Sequence, residues 1–156
     1  MIRAGRVAAV IAAGMAGLAP AASAVPPPNN GAREFKEAEF WLQMGRTDVG
    51  IPLLDRSCTL GHGLACTYLG LIYLQEFYPT YGAYESYLMI VPNYDGAIRT
   101  LERGCELGQA YACARRGHML RTGTGGATDR EGALGFYERA CALNHAESCQ
   151  VADELR

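Results

Sequence analysis

The sequence predicts an all-α fold: an α/α solenoid of about three and a half helix–turn–helix units, stapled by disulfides. Three observations carry this. First, one short pattern occurs three times, as Cys58-Thr-Leu-Gly-His-Gly-Leu-Ala-Cys66, Cys105-Glu-Leu-Gly-Gln-Ala-Tyr-Ala-Cys113 and Cys141-Ala-Leu-Asn-His-Ala-Glu-Ser-Cys149. All six cysteines of the 156-residue chain lie in these copies. Second, Cys105 and Cys141 are 36 positions apart, a spacing typical of paired-helix repeats. Third, helical apolar spacing recurs along the chain and no alternating strand pattern interrupts it. A hydrophobic content of 49% and a charged content of 19% fit a packed globular core.

Residues 1–24 read as a secretory signal peptide. Arg3 and Arg6 form a basic start, 7–18 is an apolar run, and Ala22-Ser23-Ala24 is a small-x-small cleavage site. A retained membrane anchor is the competing reading, but Gly14, Gly17 and Pro20 break a run that is already short. No cysteine follows the cut site, which argues against bacterial lipidation. Cleavage after Ala24 removes two of the 14 basic residues, leaving 12 against 16 acidic ones, a net charge of −4. Nucleic acid and anionic membrane surfaces are therefore poor partners, and no stable membrane insertion is expected after cleavage. Lys36 is the one lysine of the chain, which limits lysine-based chemistry. Export together with six cysteines implies an oxidising compartment, periplasmic or secreted.

The leader 25–31 contains Pro26-Pro27-Pro28 and reads as stiff and extended. The repeat domain then spans 32–156. A first helix is predicted over 32–44, with Phe35, Ala38, Trp41 and Leu42 on one face. A second covers 49–60, with Pro52 tolerated in its first turn and Ile51, Leu54 and Cys58 along a stripe. Gly61 to Gly63 is a turn. A third helix, 64–76, buries Ala65, Leu69, Ile72 and Tyr73. Its internal Gly70 recurs as Gly117 four residues after the second cysteine of the next copy, which predicts close approach of a neighbouring helix. Residues 77–94 break the rhythm as an insertion. A fourth helix covers 95–107, ended by Gly108, and a fifth covers 110–121. The glycine-rich loop 123–126 follows. Thr128-x-x-Glu131 reads as a capping box opening a sixth helix that reaches residue 143. Asn144 reads as a left-handed cap, and a last helix covers 146–155.

Six cysteines allow fifteen pairings. The simplest scheme repeats one local bond: Cys58–Cys66, Cys105–Cys113 and Cys141–Cys149. A zinc site is the competitor, but the spacing is not C-x2-C and no histidine set completes it. A redox role is another, but redox-active pairs usually read C-x-x-C. No metal and no cofactor is expected.

The units Asp95-Gly-Ala-Ile-Arg-Thr-Leu-Glu-Arg-Gly-Cys-Glu-Leu-Gly-Gln-Ala-Tyr-Ala-Cys113 and Asp129-Arg-Glu-Gly-Ala-Leu-Gly-Phe-Tyr-Glu-Arg-Ala-Cys-Ala-Leu-Asn-His-Ala-Glu-Ser-Cys149 resemble Sel1-like repeats, which are TPR-like. More closely, they resemble the cysteine-rich branch typified by the Helicobacter cysteine-rich proteins. The resemblance covers about 49–155. It implies that the paired cysteines are disulfides tying the second helix of one repeat to the first helix of the next. For some members of the branch it also implies penicillin binding with weak β-lactamase activity, and a mitochondrial relative suggests a chaperone-like role for exported or respiratory proteins.

Candidate function therefore lies in what does not repeat. Tyr78, Tyr81, Tyr84 and Tyr87 recur every third residue in the insertion and offer large contact area with a hydroxyl. Either they bind a partner, or the segment packs on the solenoid, a reading the run Leu88-Met-Ile-Val91 favours. Arg115, Arg116 and Arg121 form a cluster that reads either as a concave anion or carboxylate site, with Arg116 as a candidate partner-binding residue, or as a solvated face paired to glutamates. His62 and His145 occupy one repeat position, with Gln109 between them, and read as caps or solvent-facing groups rather than ligands. His118 is given no role. The loop 123–126 lacks the Lys-Ser/Thr and preceding strand of a phosphate-binding loop. No G-x-S-x-G, H-E-x-x-H or K-T-G occurs, and none of Ser57, Ser86 and Ser148 starts an S-x-x-K, so no catalytic residue is assigned. The sequence reading is a monomeric exported scaffold for a protein or peptide partner, with a β-lactamase-like hydrolase as the alternative.

Overall fold

A computed structural model describes residues 30–76 and 91–156. The expected signal peptide, residues 25–29 of the leader, and Tyr78, Tyr81, Tyr84 and Tyr87 lie outside the described residues. Among those described, the protein is all-helical, with seven helices and no strand. They are α1 (Ala32–Gln43), α2 (Thr47–Thr59), α3 (Gly63–Tyr73), α4 (Tyr94–Glu106), α5 (Ala110–Thr122), α6 (Arg130–Ala142) and α7 (Ala146–Leu155). Each helix packs chiefly on its neighbours in the chain.

The three repeated turns share one construction. In the first, the Gly61 N–H donates to the Cys58 carbonyl at 2.9 Å and the His62 N–H reaches back to the Ser57 carbonyl at 3.1 Å. In the second, Gly108 donates to Cys105 at 3.0 Å and Gln109 to Gly104 at 3.0 Å. In the third, Asn144 donates to Cys141 at 2.9 Å and His145 to Ala140 at 3.0 Å. This is the Schellman arrangement, which satisfies the orphan carbonyls at a helix end. It needs a left-handed residue, supplied by Gly61 (φ 96°), Gly108 (φ 82°) and Asn144 (φ 68°). The residue after it then caps the next helix, so His62, Gln109 and His145 each close one helix and open another.

Each turn is bridged by a disulfide: Cys58–Cys66, Cys105–Cys113 and Cys141–Cys149, with Cα atoms 4.6, 4.6 and 4.7 Å apart. No cysteine is free. The bonds join α2 to α3, α4 to α5 and α6 to α7. Three disulfides indicate an oxidising, extracellular setting. Among the described residues no helix is long and apolar enough to cross a membrane.

The core runs as three successive clusters. Phe35, Ala38, Leu42, Leu54, Leu69 and Ile72 lie in the first, Leu101, Ala112 and Met119 in the second, and Ala133, Tyr137 and Ala152 in the third. The internal glycines mark close approach, as expected. A methyl group on Gly70 would sit 2.6 Å from Leu101 Cγ, and one on Gly117 would sit 3.2 Å from both the Ala133 carbonyl and the Tyr137 ring.

Three local expectations need correction. Helix α2 begins at Thr47, two residues earlier than its spacing suggests, so Pro52 lies inside the helix rather than in its first turn. Arg46 drives the early start: its carbonyl accepts from Val49 and Gly50, and its side chain holds Asp48 through two 2.8 Å bonds. Pro52 then has no N–H to give the Asp48 carbonyl. The Thr128–Glu131 capping box is not formed. Asp129 is the cap instead, its Oδ1 accepting the Gly132 N–H at 2.9 Å, because α6 begins at Arg130 and so puts Asp129, not Thr128, at the N-cap position. Helix α3 stops at Tyr73 rather than at 76. Gln75 takes a left-handed conformation (φ 61°), and Glu76 donates its N–H back to the Leu71 carbonyl at 2.9 Å.

Candidate functional site

Helix α6 packs on both α5 and α7, and where the three meet lies a groove of about 230 Å³ lined by Tyr111, Ala114, Arg115, His118, Tyr137 and Val151, with Arg121, Glu147 and Ser148 completing it. Tyr111, Arg115 and His118 follow at i, i+4 and i+7 and so share one face of α5. The opposite side of that helix carries Cys113 and Gly117, both buried. The cores of the turns therefore aim the stripe outward into the groove.

The charged groups differ in their surroundings. Arg115 is largely covered and pairs through one terminal nitrogen with Glu76, just beyond α3. Its Nε–H is buried and has no hydrogen-bond partner among the described residues. Arg121 is exposed at the groove mouth, and Glu147 is exposed on the α7 side. Burial pushes the His118 imidazole below its usual range, Arg115 and Arg121 push it further, and Glu76 opposes them. His118 is therefore a neutral imidazole at pH 7, beside two fixed cations.

Arg116, the arginine singled out on sequence grounds, points elsewhere. Its Nε donates to Glu102 Oε1 at 2.8 Å and its guanidinium lies 5.6 Å from the Phe136 ring centroid. With 12% of its side chain exposed it ties α4 to α6. Arg115 and Arg116 each have a glutamate partner, but neither side chain is solvated, being 20% and 12% exposed. Arg115 and Arg121 nevertheless line the groove, and Arg116 does not.

His62 and His145 behave as caps. Each Nδ1 accepts from the backbone N–H three residues on, Ala65 and Ser148, at 3.3 Å. His62 also stacks on Phe35 with centroids 4.5 Å apart, and burial pushes its imidazole below the ordinary range, with Glu39 pulling it partly back. Gln109 makes no side-chain cap. Ser57 is fully buried, its Oγ donating to the Gly31 carbonyl at 2.7 Å. Gly31, assigned to the leader by composition, is thus packed against α2. Ser148 is 1% exposed, and its Oγ lies 2.9 Å from His145 Nδ1.

Among the described residues no group of three or more His, Cys, Asp or Glu side chains could hold a metal ion. No family model and no curated protein matches the chain.

The tyrosines Tyr78, Tyr81, Tyr84 and Tyr87 lie outside the described residues, so the groove rests on other groups. Sequence reading passed over Tyr111, His118, Glu147 and Val151. For Tyr111 and His118 the signal was present as the i, i+4, i+7 polar stripe of α5, opposite the buried Cys113 and Gly117; Glu147 and Val151 lie on α7 and had no such signal.

Proposed function

We propose that the protein is an exported, disulfide-stapled Sel1-like solenoid whose α5–α7 groove binds a protein or peptide partner, in a periplasm or outside the cell. The groove carries this reading. It combines an exposed tyrosine, an apolar floor of Ala114, Tyr137 and Val151, and polar groups at its rim, the mixture that binding clefts use. Three disulfide-bridged turns of the same construction at related positions support the solenoid. In such a fold alternate helices share one side, which here would place α3, α5 and α7 together.

The test is affinity capture from a periplasmic extract with the wild type and a Tyr111→Ala, Val151→Glu variant, with disulfides intact. The specific partners are expected to be lost from the variant. Identical partners on both would remove the groove from the reading.

The hydrolase alternative draws on one contact, Ser148 Oγ against His145 Nδ1. That nitrogen already accepts a backbone N–H to cap α7, and the hydroxyl is nearly inaccessible. Ser57 spends its hydroxyl on a backbone carbonyl. A general base must reach a nucleophile that can itself reach substrate, and neither serine meets that condition. Nitrocefin turnover by pure protein that disappears on Ser148→Ala would reverse the order of the two readings.

A further inference from the structure

We infer that the α5–α7 groove is a site for an acidic peptide, in which Arg115 and Arg121 receive a carboxylate beside His118 while Tyr111 and Val151 cover the adjoining side chain. This deepens the partner-binding reading above and rests on it.

Four observations lead there. The Arg115 Nε–H is buried without a hydrogen-bond partner among the described residues, although the same guanidinium is engaged at another nitrogen by Glu76. A buried donor left unmade is costly, and a carboxylate oxygen is the acceptor that planar guanidinium groups match best. Arg121 stands at the mouth, exposed, with a second set of donors. Arg115 and Arg121 both stand close enough to His118 to act against its protonation, with Glu76 acting for it. The floor is apolar, with Ala114, Tyr137 and Val151 below the exposed Tyr111 ring. A free inorganic anion would satisfy the arginines and leave that floor uncovered. A peptide with an acidic residue next to an aliphatic one fills both. Among the described residues two acids oppose such a ligand, Glu147 on the α7 wall and Glu76, already paired with Arg115.

The test uses the signal-cleaved chain with its disulfides intact, isotopically labelled for NMR. The probes are an acetylated, amidated hexapeptide of alternating Glu and Leu, its Gln–Leu counterpart, and inorganic phosphate. The Glu–Leu peptide is expected to shift the Arg115, His118, Arg121 and Val151 resonances and to raise the pH at which His118 titrates. The Gln–Leu peptide and the Arg121→Gln variant should each bind about tenfold more weakly or worse, the loss of one charge-assisted contact. Glu147→Gln should tighten binding. Both substituted positions are exposed, so the fold is not at risk. Equal affinity for the two peptides, or no change on Arg121→Gln, overturns the inference. Phosphate competing as strongly as the peptide also overturns it, by reducing the groove to a simple anion site. A displayed-peptide library separates the two levels. Neutral or basic peptides that select this groove would sink the acidic assignment and leave the partner-binding reading standing. A groove that answers to no peptide at all would sink both.

Discussion

His62 does three things at once. Its N–H closes α2, its Nδ1 caps α3 and its ring stacks on Phe35. Only the neutral imidazole can accept the Ala65 N–H, and the positive end of α3 disfavours a cation there. The folded imidazole titrates lower than it does in the unfolded chain, whose value is about 6.5. The stability it contributes is therefore complete above that value and is lost as pH falls toward and through the folded pKa. His118 is depressed too and adds a loss of the same sign. Urea denaturation at pH 7.5 and 5.5 should show the wild type weaker at the lower pH. His62→Asn keeps a cap without the titration. It should be less stable at pH 7.5, having lost the Phe35 stack, and should show a smaller drop between the two pH values. An equal drop in both proteins would show that His62 is not the titrating group.

At the scale of the element, the internal glycines are where helix packing can be tested. Alanine at either position gains about 1 kcal/mol of helix propensity. At Gly70 the new methyl meets Leu101 at 2.6 Å, and overpacking costs about 1–3 kcal/mol. At Gly117 the nearest atoms stand at 3.2 Å. Gly70→Ala should lower the denaturation midpoint, and Gly117→Ala should lower it less. The reverse order would mean that α3 and α4 are not packed through Gly70. The cysteine pairs and the left-handed residues Gly61, Gly108 and Asn144 were readable along the chain because each is dictated by backbone geometry within a few residues, and the internal glycines were readable because they recur at one repeat position. Other features were not. Gln75 takes a left-handed turn without a residue type that announces it. Glu34 is buried inside an otherwise polar stretch. Asp129 displaces Thr128 as a cap, which depends on where the preceding loop delivers the chain. The groove is harder still, since it joins α5 to α7 and to Glu76, groups that only tertiary packing brings together.

Across the whole molecule, the staples differ in how deeply they lie. Cys105 and Cys113 are fully buried, Cys58 and Cys66 nearly so, whereas Cys141 and Cys149 are partly exposed. A reductant attacks the sulfur it can reach. Under graded thiol and alkylation, mass analysis should find the Cys141–Cys149 bond opened first and the Cys105–Cys113 bond last. Replacing Cys105 and Cys113 together by Ala should cost about 2.5 kcal/mol on the chain-entropy reckoning for a nine-residue loop. A cost near zero would mean that packing alone holds α4 on α5.

The double duty of His62, Gln109 and His145 also governs where this chain can change length. At those three junctions one residue belongs to two helices, and a disulfide closes across it. A single added residue there would break a Schellman bond and pull the cysteines out of register. The junctions that follow α3 and α5 are bridged by no disulfide, although Gln75 and Glu76 close α3 with the same pair of backbone bonds. The chain already departs from its period at the first, with the extra residues of 77–94, and spends the glycines of 123–126 at the second. New material can therefore enter this protein at every other connection only, always at the same end of a helix pair. An epitope tag, a protease site or a grafted loop belongs there.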